Sequence, residues 1–322
     1  MKHDNRPGSI PNTLIGMNRA HGWPPKPMLK RLFASRKHPY IPGLNRPEKI
    51  EIDLSGSKLT MLMPPHSNYQ GFAGKEPPAQ ANIYNDGQYV DDSSLPEWQR
   101  EGVSHLTLLK RRWELYGPLW RERPLGNIRF GINILRYDTL PEGMSAFNPR
   151  HFEQMAMRSL WFTGPAQPYT GRSRAPINWD MNTREPGAPW LYYEYQRDYS
   201  HDPEPPPEFM HTYRGGCLRT PLDDHYYLNM GYGYLGYAPV DICLEHMNAL
   251  TRKVLDSVHL ELGSTAKERL AEAKRKWPDA RATRHREPEP WVYPEWRDGD
   301  EDKGEDHVVI LKPGSPPPAL IP

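Results

Sequence analysis

Little in this chain points to familiar chemistry. Of 322 residues only two are cysteine, Cys217 and Cys243, too few for a disulfide framework, so two buried thiols in a reducing compartment is the simplest expectation. Nowhere do 18 apolar residues run together, and the N-terminal stretch MKHDNRPGSIPNTLIGMNRAHGWPP has no apolar core of a secretory signal. The sequence therefore points to a cytoplasmic protein without a membrane span. Net charge is also nearly absent at +1, which removes the long-range field that would gather nucleic acid or an anionic membrane. No glycine-rich phosphate loop, serine nucleophile elbow, HxxxH or HxH pair occurs. Gly231, Gly233 and Gly236 lie inside an alternating aromatic strand with no helix start behind them. They are expected to leave room for neighbouring rings rather than to bind a dinucleotide.

What the chain has in excess is proline, tyrosine and tryptophan: 37 Pro, 18 Tyr and 10 Trp against 7 Phe. Each proline fixes φ and removes a donor, so much of the chain must run as turns and extended segments. Mean hydropathy is −0.83, so the apolar material must be concentrated in part of the sequence. Tyr and Trp join an apolar body to a polar tip and suit half-wet surfaces. They can equally pack against the prolines of the chain's own arms.

The pattern divides into three. Residues 1–47 form a basic arm with nine Lys or Arg against the single acid Asp4 and no period of helix or strand. A core of residues 48–262 follows, and residues 263–322 form a charged helix with a proline-rich, acidic tail. In the core, IEIDLSGSKLTMLMP reads as two strands around Ser55-Gly56-Ser57, and HLTLLKRRWELYG with LGNIRFGINILRYD as a long hairpin. Asn148 and Pro149 start one helix. Strands are expected at PWLYYEYQRDY, Thr212–Leu218 and Tyr226–Leu235. Cys243, Met247, Leu250, Val254 and Val258 mark the apolar face of the best helix, and a short strand, Val258–Leu262, closes the core. Long irregular loops are expected at 64–104 and 163–189, with four prolines in His201–Glu208. Thr265 and Glu268 have capping-box spacing for the charged helix, which ends near Trp277. The tail can be disordered or add to a sheet edge. The fold class is α+β, a mostly antiparallel sheet with one or two helices on one face.

Chemistry-bearing residues are few. Asp223-Asp224-His225, with His201, Asp202 and His211 upstream, is the one cluster that could hold a metal or act as acid and base. Yet neighbours on a strand point to opposite faces, and two acids after Pro221 also make an ordinary turn. No cofactor is expected. Lys110-Arg111-Arg112-Trp113 and Trp120-Arg121-Glu122-Arg123 interleave cations and rings as a single-strand binder does, but residues 48–262 carry a net −6, and no nucleic-acid partner is expected.

The strand pair IDLSGSKLTMLMP, the hairpin RRWELYGPLWRERPLGNIRFGINILRYD and the ending LDDHYYLNMGYGYLGY…MNALTRKVLDSVHLEL resemble the immunity and adaptor proteins of bacterial type VI secretion loci. Some of those have a PsbP-like sheet crossed by a C-terminal helix. The likeness covers about 110 residues, near 50–63, 105–137 and 221–262. It implies a non-enzymatic protein that binds a cognate toxin or effector by shape-matched burial, and it carries over no residue role. Tyr84, Tyr89, Trp98, Trp179 and Trp190 are the expected anchors for such a partner. An enzyme of another fold acting through Asp223, Asp224 and His225, or a structural subunit of a phage or secretion assembly, are the alternatives.

Overall fold

A computed structural model describes residues 31–67, 72–121, 123–163, 172–184, 187–199, 211–237, 239–305, 308–312 and 314–322. Residues 1–30 of the basic arm, and the His201–Glu208 run with its His201 and Asp202, lie outside these.

The fold is α+β. Strands β1 (Glu48–Leu54) and β2 (Ser57–Met63) form the expected hairpin. Its turn residues Ser55 and Gly56 both have positive φ, at 52° and 93°, the geometry that matches the twist of a two-residue hairpin. Gly56 N–H donates to Asp53 Oδ1 over 2.7 Å. The short β3 (Gln80–Ala81) and β10 (His259–Glu261) flank the pair, giving a four-stranded sheet in the order β10-β2-β1-β3.

The larger sheet has six strands, all antiparallel to their neighbours, in the order β4-β5-β9-β8-β7-β6. These are β4 (Val103–Leu115), β5 (Gly126–Tyr137), β6 (Arg172–Arg184), β7 (Ala188–Asp198), β8 (Arg214–Pro221) and β9 (Tyr226–Gly236). Helix α1 (Pro149–Phe162) is capped by Asn148, whose side chain accepts from Arg150 N–H at 2.9 Å. Helix α2 (Val240–Asp256) follows Pro239, and α3 (Ser264–Lys276) follows Gly263. Strands β11 (Glu295–Asp298) and β12 (Val308–Lys312) pair apart from both sheets.

The two main helices do not share a face. Ile128, Phe130, Leu228 and Met230 point from the large sheet toward Cys243, Met247, Leu250 and Val254 of α2 and toward the inner residues of β1 and β2, making the main core. The alternate residues Tyr137, Tyr193, Cys217 and Tyr227 point the other way, against Phe152, Met155 and Leu160 of α1. Period-two alternation sends successive side chains to opposite faces, so this sheet is covered on both sides rather than on one.

The irregular stretches shield the edges of that sheet. Along the free side of β4, backbone bonds join Tyr40 with Tyr116, Lys75 with Lys110 and Val90 with His105, and Ser67 N–H donates to Arg112 O. Buried Arg111 clamps the same strip: Nη1 donates to Pro64 O at 2.8 Å, and Nη2 pairs with Glu48 and Glu76, each at 2.8 Å. Residues 64–67 and 72–102 thus satisfy donors and acceptors that an open edge would expose.

The other edge is β6, a strand inside the stretch 163–189 for which the sequence predicts a loop; residues 164–171 and 185–186 of it lie outside the described residues. Its register breaks at Ala175–Asn178, where the Ala175–Pro176 peptide is cis and Asn178 has φ of 52°. Residues 283–291 run along it: Met181 N–H donates to Arg284 O at 3.1 Å and Glu289 N–H to Ala175 O at 2.9 Å. Farther on, Ile321 is fastened to α1 by paired bonds with the Gln154 amide, 2.7 and 3.0 Å. Ala266, Leu270 and Ala273 of α3 belong to the main core, so packing is continuous past residue 262. The capping box does not form, because α3 starts at Ser264 and Gly263 occupies the cap with no side-chain bond.

Candidate functional site

Asp223, Asp224 and His225 form the tip of the β8–β9 hairpin. Leu222 and Asp223 N–H groups donate to Tyr226 O, and Asp223 Oδ1 accepts from Asp224 N–H at 2.6 Å. Each side chain then goes its own way. Asp223 Oδ2 accepts from the Tyr84 hydroxyl at 2.6 Å, Asp224 lies 3.7 Å from Arg269 Nε, and His225 Nδ1 sits 3.4 Å from Tyr137 O. Among the described residues, no three His, Cys, Asp or Glu side chains are grouped to hold a metal ion. Asp223 thus orders the turn, and the two carboxylates are engaged with different neighbours, Tyr84 and Arg269.

Two of the expected anchors meet there. Tyr84 and Tyr89 stand edge-on to Tyr226, with ring centroids 5.4 and 6.0 Å away. Tyr89 donates to Ile83 O at 2.7 Å, and the Arg136 guanidinium lies 4.8 Å above its ring. Arg136 in turn pairs with Asp86 and Asp138. Burial, helped by the Asp223 carboxylate, pushes the Tyr84 phenol above its ordinary pKa, so Tyr84 stays a hydrogen-bond donor. It is nonetheless 43% exposed.

The tryptophans separate. Trp98 is half-buried in the short 3-10 helix Glu97–Gln99. Trp179 and Trp190 are only 2% and 4% exposed and present no surface to a partner. Trp179 stacks on Tyr193 at 6.0 Å and donates to Thr283 O at 2.8 Å, while Trp190 lies under Arg184. Their physical place is core, because both alternate with other inward residues on strands: Trp179 with Met181, and Trp190 with Tyr192.

A different end of the molecule carries exposed rings. Phe33 and Trp120 are 91% and 86% exposed, the highest values for large hydrophobic residues among those described; Leu32, next to Phe33 in the chain, and Tyr237 are exposed too. Arg31 organises this end. Its guanidinium donates to Gly117 O, Pro118 O and Arg121 O at 3.3, 3.1 and 2.7 Å and lies 4.9 Å over the Tyr116 ring. Tyr237 N–H donates to Leu125 O, and Arg121 reaches Tyr237 O at 3.4 Å. Residues 117–121 are therefore held in shape while Trp120 stands in solvent. In the sequence Trp120 reads as part of a cationic strip, but its position between Pro118 and Pro124 sets it off the strand alternation. Within that strip Arg111 and Trp113 turn inward and are fully buried, whereas Lys110 and Arg123 are exposed.

No protein-family model, curated protein or solved structure matches the chain.

Proposed function

We propose that the chain is a non-enzymatic protein-binding protein, an immunity or adaptor protein for a cognate bacterial toxin or effector, and that it docks through the end bearing Phe33 and Trp120. The observation that carries this reading is the pair of almost fully exposed rings on a backbone that Arg31 holds fixed. Large rings flanked by arginine are the residues that dominate binding energy at interfaces. A loop already ordered before docking also loses less entropy when it docks. Exposed Arg36 and Lys37, near Phe33 in the chain, and Arg123, near Trp120, favour an acidic partner surface.

The test is co-elution of the purified chain with the product of its neighbouring gene. A complex is expected, and the double variant Phe33→Ala/Trp120→Ala should weaken it at least about tenfold. Failure of the unaltered chain to form the complex would overturn the reading. Unchanged affinity of the double variant would remove the docking surface from it.

A further inference from the structure

Between α1 and the large sheet lies a group of buried polar side chains that the docking surface does not use. Arg219 of β8 is at its centre. Nε donates to Asn229 Oδ1 at 2.7 Å and Nη2 to Ser159 Oγ at 3.0 Å, and the guanidinium lies between the rings of Tyr193 and Tyr227, 5.2 and 5.6 Å from their centroids. All of these partners are neutral. Arg111, the other deeply buried arginine, has two carboxylates; Arg219 has no ion pair among the described residues. A buried cation ordinarily requires a counter-charge.

Around Arg219 several polar atoms are sealed from solvent yet lack a hydrogen-bond partner among the described residues: the hydroxyls of Tyr137 and Tyr227, Glu101 Oε1 and Arg158 Nε. Leaving such an atom bare costs about 1–3 kcal/mol, and these groups lie within electrostatic reach of Arg219 and of one another. Tyr137 and Tyr227 are fully buried, whereas Glu101 and Arg158 are partly exposed and mark the side nearest solvent. Two guanidiniums, two free phenol hydroxyls and a single carboxyl leave the cluster short of negative charge and of acceptors.

We propose that this cluster is a binding site for a small oxyanion, a carboxylate or a tetrahedral anion, whose oxygens accept hydrogen bonds from Arg219, Arg158, Tyr137 and Tyr227. Glu101 sets the conditions. Burial pushes its carboxyl up to about 7, although Arg219, Arg158 and the Ser159 hydroxyl pull it down; Asp92 adds to the rise. The phenols of Tyr137 and Tyr227, both held protonated by burial, face it from β5 and β9. Below that value Glu101 is neutral and can donate to the anion; above it, its negative charge repels the anion. Binding therefore weakens as pH rises through about 7.

Sulfate and acetate keep a constant charge near neutrality and represent the two anion shapes. The full chain is titrated with each at constant ionic strength, near pH 6 and near pH 8, by calorimetry and thermal unfolding. Saturable binding of at least one is expected, stronger at the lower pH. Tyr137→Phe/Tyr227→Phe removes only the two bare hydroxyls, so it should unfold at or above the temperature of the unaltered chain and bind at least about tenfold more weakly. Glu101→Gln should flatten the pH dependence. Absence of saturable binding by both anions, or undiminished binding by the double tyrosine variant, would overturn the proposal.

Discussion

Glu114 is buried near the end of β4, opposite Asn127 on β5 and in contact with Arg112. Burial raises its carboxyl from 4.5 to about 7, and the Arg112 guanidinium offsets only part of that rise. The folded chain therefore holds this proton more tightly than the unfolded chain. Stability is full below about 4.5 and falls as pH climbs through about 7, by at most on the order of 3 kcal/mol. Glu114→Gln should lower the drop in melting temperature between pH 5 and pH 8 relative to the unaltered chain, and identical slopes would count against this account. Such a residue is illegible in sequence, because a glutamate two positions beyond Arg112 reads as a solvated strand face. Glycine shows the same limit. Room for rings is made at Gly215 and Gly216, whose absent side chains are filled by Tyr195 and Tyr232. A side chain at Gly231 would meet nothing closer than 3.5 Å, and at Gly233 nothing closer than 3.9 Å. Alternation showed which face each glycine is on, but not what lies above it.

Elements with a clean period were readable and those held by distant chain were not. Alternation in Ile128–Ile134 and the i, i+4, i+7 row of α2 located β5 and α2 to within two residues. The strand β6 escaped because Pro176 and two register breaks destroy its alternation over Ala175–Asp180. It persists because β7 pairs with it on one side and residues 283–291 cover the other. The Glu153 carboxylate secures that cover, accepting from Thr283 N–H at 2.8 Å and pairing with Arg286 at 2.7 Å. Truncation after Asp279 should bare this edge and the Trp179 indole, turning a covered strand into a template for pairing with other chains. Light scattering should detect concentration-dependent association of the truncated protein; a truncated chain that stays monodisperse would show that the edge needs no cover. The tail's composition suggested either disorder or edge addition, and only the register of β6 decides between them.

At the scale of the whole molecule, α2 ties the two sheets together. Met247 is fully buried among residues from both, and Ser257 just past the helix bonds Leu62 N–H and O at 2.9 and 3.1 Å. Met247→Ala should cost about 2–5 kcal/mol, with far-ultraviolet dichroism and tryptophan fluorescence shifting together. Separate midpoints for the two probes would mean that the sheets unfold independently. Closure of the smaller sheet has a further consequence. Leu260 of β10 pairs with Leu59 of β2, and Gly263 N–H donates to Ser57 Oγ at 3.0 Å across 206 residues of chain. A side chain on Gly263 would come within 2.7 Å of the Gly56 carbonyl carbon, so the two turns interlock backbone to backbone. During synthesis at roughly 5–20 residues per second, the first hairpin therefore emerges roughly 10–40 seconds before the strand that covers its side. In that interval its apolar face is uncovered, and Glu51, salt-bridged to Lys49 and Lys58 on the opposite face, is among the charges that keep the young hairpin in solution.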